Sequence, residues 1–176
     1  MANREALREL QVRLASRLQA ARSEGMSVAW LAVRVGGSNL LFPLGQSGEI
    51  FPLASLQPVP YSREWFRGVI NIRGGLYGVV DLAAFIAFDA GKPRTVSPVQ
   101  DPSVVTLNLA LEVNAALQVD GLLGLRGADA FASSSPPEPD APAYFGNQFL
   151  DIAGEHWQEI DLRILSQTPQ FLSISA

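Results

Sequence analysis

From residue 27 onward, the chain consists of short strand-like runs separated by turn residues that recur at intervals of about 8–12 residues. This spacing is typical of small antiparallel barrels and sandwiches. A parallel α/β sheet would need helical crossovers of about 10–15 residues between its strands, and the pattern indicates none of that length. The sequence therefore predicts a mainly β fold in which helices are confined to the N-terminus and to short connections.

The run at residues 68–73 has the clearest strand pattern in the chain. Its two isoleucines would face one side of a sheet and Arg73 the other, because side chains alternate along a strand. A second run at residues 76–80 would return antiparallel after a turn at Gly74 and Gly75. The two runs predict a β-hairpin at the centre of the domain.

Two aspartates are predicted to begin short helices. Asp81 precedes an apolar run at residues 82–88, and Asp161 precedes another at residues 162–166. An aspartate side chain at such a position accepts a hydrogen bond from a free N–H of the first helical turn. Residues 133–142, which read SSSPPEPDAP, are instead expected to form a mobile loop.

Residues 3–24 predict an amphipathic helix, within an N-terminal segment at residues 1–26 that precedes the β domain at residues 27–176. The apolar face carries a row of leucines: Leu7, Leu10, Leu14 and Leu18. Five arginines and three glutamates cover the remaining surface. The helix could pack on its own domain, dock a partner helix or form a flexible arm, and the pattern does not decide between these interpretations.

The composition argues against a nucleic-acid partner. The net charge is −4 and the chain has a single lysine, whereas nucleic-acid binding requires clustered Lys and Arg. No apolar run reaches the roughly 18 residues of a membrane span, and the N-terminus lacks an apolar signal-peptide core. Because there is also no cysteine, we expect a cytoplasmic protein without direct membrane insertion.

No pattern in the sequence predicts catalysis, a cofactor or a metal. His156 is the only histidine, so any histidine base would have to be that residue. One histidine and no cysteine cannot supply a typical zinc site, and there is no Gly-x-Ser-x-Gly or phosphate-loop motif. The remaining enzymatic alternative is a small β-barrel enzyme or ligand-binding protein with a site between two lobes.

Glu49 and Arg73 form a candidate interaction site. Glu49 is the nearest upstream acid in an extended run, and the two side chains could pair across strands. One interpretation is an ordinary exposed ion pair, worth about 0–1 kcal/mol. The other is a pair in an apolar groove that presents a guanidinium to a partner. Periodicity alone leaves both open.

The segment around the hairpin resembles the signature of CheW-like domains. Residues 65–74 read WFRGVINIRG and residues 79–82 read VVDL, which is similar to that family's Gly-Val-x-Asn-Leu-Arg-Gly and Asp-Leu motifs. Residues 49–50 stand where the family has Glu-Ile, and residues 119–121 resemble its Val-Asp-Gly turn. The resemblance extends over about residues 27–165.

This resemblance implies a fold of two small SH3-like antiparallel β-barrels that share a hydrophobic core. Residues 27–88 would form mainly the first barrel and residues 103–166 mainly the second. It also implies a non-enzymatic adaptor in bacterial chemosensory arrays, with no cofactor and no metal.

The resemblance further implies the partners and the contact residues. The partners would be the cytoplasmic tip of a methyl-accepting chemoreceptor and the regulatory domain of a CheA-type histidine kinase. By position in the motif, the partner-binding residues would be Glu49, Asn71, Arg73 and Gly74. The N-terminal helix and the Pro-rich segment are most similar to the CheW-like adaptors of type IV pilus twitching systems.

Overall fold

The computed structural model describes residues 2–24, 28–93 and 99–176, and within them the chain is mainly β. The strands are β1 Val28–Val35, β2 Ser38–Pro43, β3 Ser47–Pro52, β4 Phe66–Ile72, β5 Gly75–Asp81, β6 Ser103–Leu107, β7 Ala115–Val119, β8 Gly121–Gly127, β9 Phe131–Ser135, β10 Phe145–Asp151 and β11 His156–Ile160. The helices are α1 Ala2–Glu24, α2 Leu82–Asp89, α3 Leu162–Gln167 and α4 Pro169–Leu172. The predicted mainly β fold with an N-terminal helix is confirmed.

The strands form two sheets. One has the order β8-β1-β2-β11-β10-β9, and the other has the order β3-β6-β7-β5-β4. Neighbouring strands are antiparallel except for two parallel pairs, β2 with β11 and β5 with β7. Each sheet therefore combines strands from residues 27–88 with strands from residues 103–166.

The two sheets repeat one topology. In each sheet, three neighbouring strands are joined by antiparallel pairing. The third of them pairs in parallel with a fourth strand, and this fourth strand forms an antiparallel hairpin with the fifth. The hairpin is β4–β5 in one sheet and β10–β11 in the other. At the outer edge of the β4–β5 hairpin, Gln57 forms an isolated bridge with Val69. At the outer edge of the β10–β11 hairpin, β9 pairs with β10. The second repeat is discontinuous in sequence, because β1 and β2 complete it from the N-terminal side.

The repeat extends to individual hydrogen bonds. The carbonyl of Trp65, just before β4, accepts from the N–H of Asp81 at 2.8 Å. The carbonyl of Tyr144, just before β10, accepts from the N–H of Asp161 at 2.7 Å. Each aspartate then accepts through its side chain from the N–H three residues later, at 3.1 Å and 3.0 Å respectively. Both predicted helix caps are thus confirmed.

A shared hydrophobic core joins the two sheets. Its buried side chains come from β1, β2 and β11 of one sheet and from β3 to β7 of the other, together with α1, α2, α3 and α4. A smaller cluster covers the opposite face of each sheet. The five-stranded sheet carries Ile70, Val79, Val104 and Ala116 there, and the six-stranded sheet carries Ala32, Leu41 and Trp157.

Aromatic side chains occupy the centre of the shared core. Phe85 of α2 lies 5.0 Å from Trp65 and 6.0 Å from Tyr144, measured between ring centroids. Phe171 of α4 also packs edge-on against Phe85 at 5.4 Å and stacks on Trp65 at 6.3 Å. Edge-on and offset rings are favoured because the positive ring edge meets a negative ring face. Phe85 therefore connects both repeats and the C-terminal helix.

Helix α1 is only partly attached to the domain. Leu14 and Leu18 are buried, with 5% and 2% of their surface exposed, and α1 contacts β3 and β8. Leu7 and Leu10, earlier on the same face, are 40% and 46% exposed. The second half of the leucine row therefore packs on the chain's own domain, and docking of a partner helix by the first half stays a prediction.

Two local predictions are wrong. Residues 133–135 of the expected loop form the second part of β9, which pairs with β10. Serines carry no apolar alternation, so this strand depends on its neighbour rather than on its own sequence. The turn of the β4–β5 hairpin falls at Arg73 and Gly74, one residue earlier than the glycine pair suggests, because Gly75 already pairs with Ile72.

We expect Phe85→Ala to lower the free energy of unfolding by about 3–5 kcal/mol, because truncation would leave a cavity among packed rings. Phe88→Ala, in the same helix but 42% exposed, is the matched control and should have a much smaller effect. Urea unfolding followed by circular dichroism measures both. Equal effects at the two positions would contradict a central role for Phe85.

A pH effect is expected from Asp151, the last residue of β10. Its side chain accepts from the indole N–H of Trp157 at 2.9 Å and from the N–H of Glu155 at 2.9 Å, and these bonds lower the pKa of the Asp151 carboxyl. A lowered folded-state pKa gives stability that is present above the unfolded value, about 3.9, and is lost as pH falls through the folded value.

Asp151→Asn should therefore lower the Tm more at neutral pH than at about pH 3. Glu155→Gln removes a neighbouring charge without touching these two bonds and serves as the control. Thermal unfolding across this pH range is the measurement, and a Tm difference that is independent of pH would contradict the assignment.

Candidate functional site

The β4–β5 turn holds the candidate site in a fixed conformation. Arg73 has φ 51° and Gly74 has φ 81°, so both turn residues are left-handed, as a type I′ hairpin turn requires. The side chain of Asn71 accepts from the N–H of Gly74 at 3.0 Å. Asn71 and Gly74 thus shape the turn, and Arg73 is the residue that the turn presents.

Arg73 and Glu49 form the predicted ion pair. The Nη1 atom of Arg73 donates to Oε1 of Glu49 at 2.8 Å, and the side chains are 72% and 42% exposed. The guanidinium carbon also lies 5.8 Å from the centre of the Phe51 ring. Glu49 and Phe51 both belong to β3, so the Arg73 side chain of the β4–β5 turn contacts β3, which is the other edge strand of the same sheet.

The Arg73 side chain lies on the opposite face of the sheet from the one that the sequence predicted. Simple alternation places it opposite Ile70 and Ile72, but Phe51, which it contacts, packs in the same cluster as these isoleucines. The cause is the positive φ of Arg73, which ends the strand at Ile72 and turns the next side chain back over the sheet. The alternation itself holds within β4, where Val69 packs on the shared core.

A groove of about 670 Å³ lies beside this ion pair, between α1 and β3. Residues 48–52 line it from the strand, and Arg73 lines it from the turn. The side chains from α1 include Arg8, Val12, Ala15 and Ser16. The pair is therefore exposed, as in the first interpretation, and borders an open, partly apolar groove, as in the second. Presentation of the guanidinium to a partner stays a prediction.

The ion pair contributes little to stability. A pair this exposed is worth about 0–1 kcal/mol, since water and salt screen it and both side chains lose freedom. A guanidinium carries five N–H donors, and one bond to Glu49 leaves others available to a ligand. Because Glu49 orients the planar group, the arrangement is suited to binding a carboxylate or carbonyl group on a partner.

A second cavity, of about 430 Å³, lies between the end of α2 and helices α3 and α4. Within it, the Tyr144 hydroxyl donates to Oδ2 of Asp89 at 2.9 Å. Burial, with the neighbouring carboxylate, raises the pKa of Tyr144 well above its usual value, so the phenol stays protonated as a donor. This bond connects α2 to the segment before β10, so both the phenol of Tyr144 and the carboxylate of Asp89 have a structural role.

The structure also places the other residues that the sequence raised for catalysis or metal binding. His156 begins β11 and is exposed. Among the residues that the structure describes, no group of three or more His, Cys, Asp or Glu side chains is placed to hold a metal ion. No helix in the described ranges combines the length and hydrophobicity that a membrane crossing requires. The space between the sheets is occupied by the packed core.

Comparison with known proteins identifies the family of the chain. Residues 29–167 match the family described as CheW-like domain. The chain belongs to this family. It is 30% identical to protein PilI of Pseudomonas aeruginosa over 127 residues, which is 71% of this chain and 68% of that protein.

The fold also matches a solved CheW-like structure. The crystal structure of the scaffolding protein TtCheW from Thermoanaerobacter tengcongensis superposes with a TM-score of 0.66 at 18% identity. The match covers 82% of this chain and 96% of the other. The chain is thus a CheW-like domain that is related in sequence to PilI and in fold to a CheW scaffold.

Sequence reasoning missed two parts of the site. Phe51 beneath Arg73 was not identified, although it lies two residues after Glu49 in the same strand. The wall that α1 contributes was also missed, because the side of this helix away from the leucines was interpreted only as a charged surface. The flank next to that face carries Arg8 and Val12 at a spacing of four residues, which marks one side of a helix.

Arg73→Asn should remove the guanidinium and keep the turn, because Asn-Gly is a preferred pair for type I′ turns. We expect the free energy of unfolding to change by less than about 1 kcal/mol, given the exposure of the ion pair. Gly74→Ala, at φ 81° with open space around the added methyl, is the control and should lose about 1 kcal/mol through the backbone alone. A loss of several kcal/mol in Arg73→Asn, measured by urea unfolding, would make Arg73 structural.

Proposed function

We propose that this protein is a non-enzymatic adaptor that couples methyl-accepting chemoreceptors to a CheA-type histidine kinase. The observation that carries the proposal is the Glu49–Arg73 pair, which borders an open groove and contributes little to stability. Membership of the CheW-like family supports a coupling role. In this function the protein acts in the cytoplasm at receptor arrays and takes no cofactor.

The groove beside Arg73 would receive the receptor, whose cytoplasmic tip is a helical hairpin in the family that the motifs resemble. Arg73 would donate to a carboxylate or carbonyl of that tip, and Glu49 would hold the guanidinium in place. Asn71 and Gly74 would act indirectly, by fixing the turn on which Arg73 stands. The kinase's regulatory domain would bind elsewhere, which leaves both partners able to bind together.

The pilus assignment is a finer proposal. The similarity to PilI, over 68% of that protein's length, supports a role in type IV pilus twitching motility rather than in swimming chemotaxis. Deletion of the gene in its host should abolish surface twitching and leave flagellar swimming unchanged. The reverse result would assign the adaptor to chemotaxis.

Arg73→Glu should weaken binding of the full-length protein to a soluble receptor fragment by at least about tenfold, since it replaces the donor with a like charge beside Glu49. Arg67→Glu, which reverses an exposed charge in β4 away from the groove, is the matched control. Isothermal titration calorimetry against the receptor fragment and against the kinase's regulatory domain provides the measurement.

Binding of the kinase domain should be retained in Arg73→Glu, which shows that the variant is folded. Failure of the wild-type protein to bind either partner would contradict the adaptor function. Equal loss in the Arg67→Glu control would show that net charge, rather than the Arg73 position, determines affinity.

A further inference from the structure

The groove has a second wall that is not part of the β domain. One flank of α1 faces β3 across the groove and carries Arg8, Val12, Ala15 and Ser16. Positions 8, 12 and 15 are spaced by four and three residues, so they form one continuous ridge along the helix. The ridge runs beside the strand that holds Glu49.

Helix α1 is fixed where it lines the groove. Leu14 and Leu18, on the neighbouring side of the helix, are buried in the shared core. Gln11 donates from Nε2 to the hydroxyl of Ser103 at 2.5 Å. Since apolar burial and a long-range hydrogen bond hold the same segment, this part of α1 is a wall of defined position rather than a free arm.

The charges of the groove are unbalanced. Arg73 is paired with Glu49, whereas Arg8 has no acidic partner within ion-pair distance in the described part of the chain. The groove therefore carries an excess positive charge in a protein whose net charge is −4. A partner segment with a carboxylate near Arg8 would complement it.

The shape of the groove favours a helix over an extended strand as its occupant. A strand would have to add to the edge of β3, and Pro52 in that edge has no N–H to donate. The small side chains of Ala15 and Ser16 allow another helix to approach α1 closely. Val12, which is 67% exposed, provides an apolar contact for such a helix.

We propose that α1 is a specificity element of the partner-binding groove, which receives a helical partner segment with its apolar side against Val12 and a carboxylate against Arg8. The inference rests on the proposed function, in that the helical segment belongs to the receptor. It adds that the N-terminal helix, outside the CheW-like domain at residues 29–167, contacts the receptor directly.

The test uses the full-length protein and a soluble fragment that contains the cytoplasmic helical hairpin of the host's methyl-accepting receptor. Arg8→Glu and Val12→Asp should each weaken binding about five- to tenfold. Arg17→Glu reverses an exposed charge on the opposite side of α1 and should leave the affinity unchanged. The difference between wild type and Arg8→Glu should shrink at high salt, because it is ionic, and the effect of Val12→Asp should persist in part.

The outcomes separate this inference from the function on which it rests. Unchanged affinity in both Arg8→Glu and Val12→Asp, together with weakened binding in Arg73→Glu, would overturn the role of α1 and leave the adaptor function standing. An equal loss in Arg17→Glu would also overturn it, since the groove side of the helix would then not matter. Absence of wild-type binding to the receptor fragment would overturn both.

Discussion

The contact of Phe85 with Trp65 and Tyr144 is the interaction on which the rest of the structure depends. Trp65 and Tyr144 occupy equivalent places in the two topological repeats, and each accepts a backbone hydrogen bond from the aspartate that caps the following helix. Phe85 touches both rings, so one side chain links the two hairpins, the helix between β5 and β6, and the C-terminal helix. The two hairpins that follow Trp65 and Tyr144 are therefore positioned by packing in one shared core.

Local features of the fold followed from the sequence because their signals are local. The Asp81 and Asp161 caps, the β4–β5 hairpin and the N-terminal helix each depend on residues a few positions apart. The discontinuous second repeat did not follow, because β1 and β2 join strands more than 80 residues away in the chain, about which periodicity carries no information. Strand β9 was missed for a similar reason, since its serines gain strand conformation from pairing with β10.

The sequence predicted which two residues pair at the candidate site, but not which groups surround them. The Glu49–Arg73 pair followed from motif and position, yet the orientation of Arg73 over Phe51 depends on a left-handed residue in the turn. A left-handed conformation costs a non-glycine residue about 1–2 kcal/mol, and the exposed pair returns about 0–1 kcal/mol. Stability therefore does not account for arginine at this turn position, which supports the proposal that a partner binds the guanidinium.

The two walls of the groove are connected through the same core that Phe85 organises. Strand β3 contributes Ile50 to it, and α1 contributes Leu14 and Leu18. Packed cores resist deformation, so the distance between the walls is fixed before a partner arrives. A binding site of set width gives up little conformational entropy on association, and its selectivity depends on the side chains that line it. Arg8 and Val12 on one wall and Arg73 on the other then determine which helices the groove accepts, while the core determines only how far apart these side chains stand.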